Sequence, residues 1–256
     1  MIDYVPITRY DSKGVHKIDD PVVHETRANL FINEAPYLSV MVLPEHLDKW
    51  AVGFMFSEGL IKTFADVKSV EAKENGDVFV STHEPIVAGK SQKRVLVSGC
   101  AHGTVNMSFL NQANLPNLEG KLATLGSGEI MDIMLKFNKD SAIFNEAGGV
   151  HSTAIIFKDG RELFFEDIGR HNAVDKAIGA ALMEDLPFGE GALTTSGRIS
   201  TEIALKTIKA GIPILISRSG PTSMSLAIAK KANMTLVGFA RGRRFNIYSG
   251  GFRIND

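Results

Sequence analysis

Between Ala192 and Ala240 the chain repeats one pattern: a short apolar run, a Gly- and Ser-containing turn, then a helical stretch. The runs are ALTTS (Ala192–Ser196), IPILIS (Ile212–Ser217) and TLVGFA (Thr235–Ala240), and the helical stretches between them are Thr201–Lys209 and Thr222–Lys231. Strands and helices alternating at these lengths require right-handed crossovers, which predicts a largely parallel sheet covered by helices. Upstream, Ser127 is placed to cap a helix carrying Ile130, Ile133, Met134 and Phe137. TAIIF and ELFFE then form a hairpin around Lys158-Asp159-Gly160.

The first hundred residues read differently. Val22–Val42 gives two strands around Asn33-Glu34-Ala35-Pro36, and His46–Ile61 is a helix with Leu47, Trp50, Ala51, Phe54 and Glu58 on helical spacing. Gly59 is placed as its C-terminal cap. VKSVEAK and DVFVST flank Asn75-Gly76, a strong hairpin signal. The fold class is therefore α/β in the second half and α+β overall. A β-rich module, residues 1–112, is followed by an α/β domain, residues 113–256. The polar, proline-containing stretch NQANLPNLEGK lies at the boundary.

Charge and composition exclude several classes. With 28 basic and 29 acidic residues in 256, the net charge of −1 leaves no footprint for nucleic acid. No apolar run is long enough to cross a bilayer, and the N-terminus lacks a secretory signal, so a soluble cytoplasmic protein is expected. The single cysteine excludes an intrachain disulfide and a multi-cysteine zinc site.

Chemistry-bearing residues concentrate in EDIGRHNAVDKAIGAAL, Glu166–Leu182. His171, Val174, Ile178 and Leu182 share one helical face, Asp167 is placed as the N-cap, and Asp175 is placed to hold the His171 ring from four residues on. Arg170, His171 and Asn172 then fall in a first turn whose free amides favour an anion. A satisfied core histidine beside a salt-bridged Arg170 is the other reading of the same residues.

Two strand-to-helix turns, TTSGRISTE (Thr194–Glu202) and SRSGPTSMS (Ser217–Ser225), combine glycine, hydroxyls and an arginine at a strand's C-terminal end, a combination suited to phosphate. Ordinary helix capping accounts for either turn alone. RGRRF, Arg241–Phe245, adds further cationic groups.

Cys100 sits in Ser98-Gly99-Cys100-Ala101-His102-Gly103, between glycines rather than inside an apolar element. A nearby cation lowers a thiol's pKa and raises its reactivity, and His102 supplies one when protonated. Burial as a small hydrophobe at a strand end is the alternative.

Six blocks in order resemble one family, the formate dehydrogenase accessory sulfurtransferases, or FdhD family, from about Glu25 to Tyr248. They are Gly53–Ile61 (GFMFSEGLI), Gly148–Ser152 (GGVHS), Glu166–Lys176 (EDIGRHNAVDK), Thr195–Glu202 (TSGRISTE), Ser217–Ser223 (SRSGPTS) and Leu236–Tyr248 (LVGFARGRRFNIY). The resemblance implies a three-layer α/β/α, cytidine-deaminase-like second domain and a homodimer. It also implies an activity, in which persulfide sulfur is taken from a cysteine desulfurase and passed to the molybdenum or tungsten bis-guanine-dinucleotide cofactor. Formate dehydrogenase becomes active as a result.

On that reading Cys100 carries the sulfur. The cofactor is bound by the turns, through Ser196, Gly197, Arg198 and Ser200 and through Ser217, Arg218, Ser219, Thr222 and Ser223. Phe239 and Arg241 join them from the last block, with Arg170, His171 and Asp175 lining the cofactor face. No zinc is expected, since no cysteine follows residue 100 and the deaminase ligand set is absent. The family's best-known members carry Cys-x-x-Cys in this loop; here Gly103 takes the second position, so no two-cysteine relay exists within one chain. Two further readings stand beside the carrier: a non-catalytic cofactor chaperone, and a nucleotide-processing enzyme using His171 and Asp175 as acid–base groups.

Overall fold

The computed structural model describes residues 1–86 and 115–256 and the backbone of residues 94–96; Cys100, His102 and the expected boundary at residue 112 lie outside the described residues. The chain starts with a hairpin, β1 (Ile2–Asp11) and β2 (Gly14–Val23), paired along its whole length and belonging to no other sheet.

A five-stranded sheet follows. It contains β3 (Thr26–Ile32), β4 (Ala35–Val42), β5 (Val67–Ala72), β6 (Asp77–Thr82) and β7 (Arg94–Leu96), in the order β5-β6-β3-β4-β7. The β3–β4 turn sits where the sequence places it, at Asn33 and Glu34, whose φ values of 48° and 68° match the right-handed twist of a tight hairpin. Gly76 closes the β5–β6 turn at φ 87°, and a Cβ there would stand 2.4 Å from the Arg27 carbonyl oxygen. Between β4 and β5 runs α1 (Leu47–Glu58), stopped by Gly59 in the left-handed region.

Next come β8 (Leu125–Gly126), α2 (Ser127–Asp140) and α3 (Ala142–Ala147). Ser127 is the first helical residue of α2 rather than its cap. Gly126 takes that place, and the Glu129 carboxylate accepts from its amide at 3.2 Å. The second sheet then contains β9 (His151–Phe157), β10 (Glu162–Asp167), β11 (Gly191–Thr195), β12 (Ile214–Ser217), β13 (Thr235–Arg241) and β14 (Arg244–Ser249). Helices α4 (Arg170–Met183), α5 (Thr201–Ala210) and α6 (Ser223–Lys231) connect them, and β15 (Ile254–Asn255) pairs with β8.

The sheet order is β10-β9-β11-β12-β13-β14, and only the β11–β12 and β12–β13 ladders are parallel. The sheet is thus mixed rather than largely parallel, because the β9–β10 hairpin and β14 add antiparallel strands at its two sides. Side chains alternate across it as strand geometry requires. Ile155, Leu193, Leu215 and Leu236 face the core formed with α1, α4, α5 and α6, whereas Ala154, Ala192, Ile214, Ile216 and Val237 face α2. The result is three layers, α/β/α.

The first core also takes in β3, β4 and β6, so one apolar interior joins the two sheets. At its centre α1 and α4 meet backbone to backbone. A Cβ on Gly53 would lie 1.9 Å from the Asp175 carbonyl oxygen, and one on Gly179 would lie 1.9 Å from that of Lys49.

Candidate functional site

Parallel strands β11, β12 and β13 end on the same edge of the sheet, where antiparallel β9 and β14 begin and β10 ends. Every described candidate except Asp175 lies along this edge or on the turns leaving it. Ligands of open α/β sheets bind at such carboxyl ends.

The two Gly/Ser turns are stitched into one surface. Arg218 N donates to Thr195 O, Ile199 N to Gly220 O and Thr222 N to Ile199 O, each at 3.1 Å. Ser217 is fully buried; its hydroxyl donates to Gly197 O at 2.6 Å and accepts from Ser219 N at 2.9 Å. The Ser196 hydroxyl accepts from Ser152 N at 3.0 Å. Ser200 and Thr222 cap α5 and α6 by accepting from Ile203 N and Ser225 N. These hydroxyls build the turns, so ordinary capping describes Ser200 and Thr222 correctly. Ser223 stands exposed at the start of α6, and Arg198 is exposed on the first turn.

The cations converge. Arg218 lies 4.7 Å over the Phe144 ring, and the Arg241 guanidinium donates from Nε to the Arg218 carbonyl at 2.7 Å. Burial, and next the charge of Arg241, lower the pKa of Arg218. Phe239 is 41 % exposed, has a φ of 52° that residues with side chains rarely adopt, and packs its ring against Gly220. Its amide donates to Ser219 O at 3.0 Å, which ties β13 to the second turn.

Across from them, Arg170 opens α4 with its side chain against Gly197, where a Cβ would meet the arginine's own Cβ and Cδ at 3.1 Å. His151 completes the cluster, its Nδ1 3.3 Å from Ser196 Oγ. Burial, then Arg170 and Arg218, hold its pKa below the ordinary value, so its ring is kept neutral between two guanidiniums. His151 was legible in the sequence only as part of the GGVHS block.

Two expectations at the α4 start are corrected. Asp167 is the last residue of β10, not the N-cap; Gly169 caps α4. The Asp167 carboxylate instead accepts from Gly169 N and Asn172 Nδ2, both at 2.9 Å, and from Leu43 N at 3.1 Å. Nor does Asp175 hold His171. It is buried, paired with Lys206 Nζ at 2.5 Å and accepting from the Ser57 hydroxyl at 2.8 Å. The His171–Asp175 acid–base pair of a nucleotide-processing enzyme is therefore not assembled.

The partner of His171 is Glu202, with Nδ1 3.1 Å from Oε2. Burial, reinforced by the charges of Lys206 and Arg170, holds the histidine's pKa down to about 3. The ring is thus neutral at physiological pH, so its contact with the Glu202 carboxylate is not an ion pair.

A family model for the FdhD/NarQ family matches residues 23–255. This chain belongs to the FdhD/NarQ family. Among its FdhD relatives, a protein named sulfur carrier protein FdhD from Listeria innocua is 35% identical over 254 residues, covering 97% of both chains. One of the same name from Saccharolobus solfataricus is 34% identical over 253 residues, covering 97% of this chain and 96% of that one. The fold is shared with a crystal structure assigned to a formate dehydrogenase accessory protein from Desulfotalea psychrophila. The TM-score is 0.81 at 28% identity, over 99% of each chain. Among the described residues of this FdhD/NarQ member, no helix is long and apolar enough to cross a membrane.

Proposed function

We propose that this protein is a sulfur carrier for formate dehydrogenase. It takes sulfur from a cysteine desulfurase on Cys100 and passes it to a molybdenum or tungsten bis-guanine-dinucleotide cofactor, which is bound as substrate. The observation that carries this reading is the convergence of Arg170, Arg218 and Arg241 with two interlocked Gly/Ser turns on one sheet edge. Such an edge suits a pyrophosphate, which presents charge to guanidiniums and to the amides opening a helix.

The Cys100 thiolate attacks the outer sulfur of the donor's persulfide. A new S–S bond forms on Cys100, the donor's S–S bond breaks, and the donor leaves as a thiolate. The outer sulfur is then passed on to the cofactor at the edge as sulfide, while two equivalents of a small-molecule thiol supply two electrons and become a disulfide, and Cys100 is left as its thiolate. One thiol suffices for this sequence, so Gly103 in the place of a second cysteine leaves it intact. The chain acts as a homodimer in the cytoplasm on this reading.

The test is complementation. A Cys100→Ala variant expressed in a strain lacking its own carrier is expected to bind guanosine diphosphate normally and to leave the dehydrogenase inactive. Full dehydrogenase activity with that variant overturns the covalent mechanism and leaves a cofactor chaperone in its place.

A further inference from the structure

Lys176 is wholly buried and has no part in the edge described above. Its Nζ lies 2.7 Å from Asp167 Oδ2, 3.1 Å from Leu43 O and 3.4 Å from Glu166 O. Asn172 donates from Nδ2 both to Asp167 and, at 3.1 Å, to Met41 O. With the bond from Leu43 N to Asp167, three hydrogen bonds cross from the end of β4 to the β10–α4 junction.

A buried ion pair is weak evidence for stability, since apolar residues of similar size often serve as well. What the pair contributes here is geometry. It joins the last residues of β4 to the turn that presents Arg170 and His171. Strand β7 pairs with β4 from Leu38 to Val40, and Cys100 follows the end of β7 by four residues in sequence.

We propose that Asp167, Asn172 and Lys176 are positioning residues. They set where β4 and β7 stand against the cationic edge, and hence the register between the sulfur-carrying and the cofactor-binding parts of the chain. The functional half of this statement rests on the sulfur-carrier reading; the geometric half does not.

The test uses the paired substitution D167N/K176M, which removes both charges together and keeps the side-chain volumes close. In a C100S background, spin labels on K68C (β5) and K230C (α6) report the distance between the two sheets. With Cys100 intact, guanosine diphosphate affinity and sulfur delivery to the dehydrogenase are measured. The paired variant is expected to fold, to bind guanosine diphosphate as the parent does, and to shift or broaden the inter-label distance. Delivery is expected to fall about tenfold or more, because small misplacements are costly in group transfer.

An unchanged distance distribution overturns the proposal, as does a changed one with parental delivery. If the paired variant does not fold, N172A carries the same comparison, and parental delivery with parental distances overturns the proposal. Failure of the sulfur-carrier reading shows separately, as normal delivery by C100A, and leaves the distance arm intact.

Discussion

His171 Nδ1 stands 3.1 Å from Glu202 Oε2, across the contact between α4 and α5, and the histidine side chain is 19% exposed. Its folded pKa of about 3 lies below the ordinary value of 6.5. Between those values the unfolded chain holds more protons than the folded one. The stabilisation is fully present above about pH 6.5 and is lost as pH falls toward 3. His46 and His151, also held low by burial, act in the same direction. His171→Asn is therefore expected to flatten the fall in melting temperature between about pH 7 and about pH 4. Circular dichroism melts of both proteins check this; the same slope in the variant contradicts it.

Nucleotide binding depends on the cationic edge. Arg198→Ala and Arg218→Ala are each expected to weaken guanosine diphosphate binding by roughly 1.5–3 kcal/mol, the range for a charge-assisted hydrogen bond. Arg198 is exposed, so its removal leaves the melting temperature unchanged. Arg218 also loses its packing over Phe144, so its removal lowers it slightly. Calorimetry at low salt measures the affinities, which decline as added salt screens the charges. Unchanged affinity in either variant removes that residue from the site.

Local structure was legible where local chemistry decides it. The Asn33-Glu34 and Asn75-Gly76 turns, the Gly59 cap and the β11-to-β13 alternation all fall where the sequence places them. The β1–β2 hairpin was missed because most of its residues are exposed, so no apolar alternation marks it. β14 was missed because none of its residues is buried and half are exposed, so its apolar positions carry no clear alternation.

At the site, the grouping of Arg170, the two turns and Arg241 was legible, but side-chain pairing was not. Four-residue spacing suggested His171 for Asp175, whereas its partners lie 31 and 118 residues away at Lys206 and Ser57. Asp167 carries a helix-capping residue type, yet its carboxylate is taken by Lys176 and by the Leu43 amide 124 residues away. Helical periodicity is blind to such contacts.

The α1–α4 crossing rests on the absence of two side chains. With a Cβ on Gly179 only 1.9 Å from the Lys49 carbonyl oxygen, the helices must separate to admit alanine. Gly179→Ala is expected to destabilise the protein by about 3 kcal/mol or more, at the upper end of overpacking costs. Gly120→Ala, where an added Cβ meets no atom within 4 Å, serves as the neutral control. Denaturant titration measures both, and equal midpoints contradict the close contact.

Cys100 is proposed to carry sulfur without a second cysteine in the chain, and sulfur delivery to a cofactor at the cationic edge depends on it, whereas nucleotide binding there does not. Intact-mass analysis of the full-length protein after incubation with a cysteine desulfurase and cysteine tests this directly. The expected result is a gain of one sulfur atom, reversed by a reducing thiol and absent in Cys100→Ala. A protein that gains no sulfur under conditions where the desulfurase itself becomes persulfurated, or a Cys100→Ala variant that gains it equally, contradicts the sulfur-carrier mechanism.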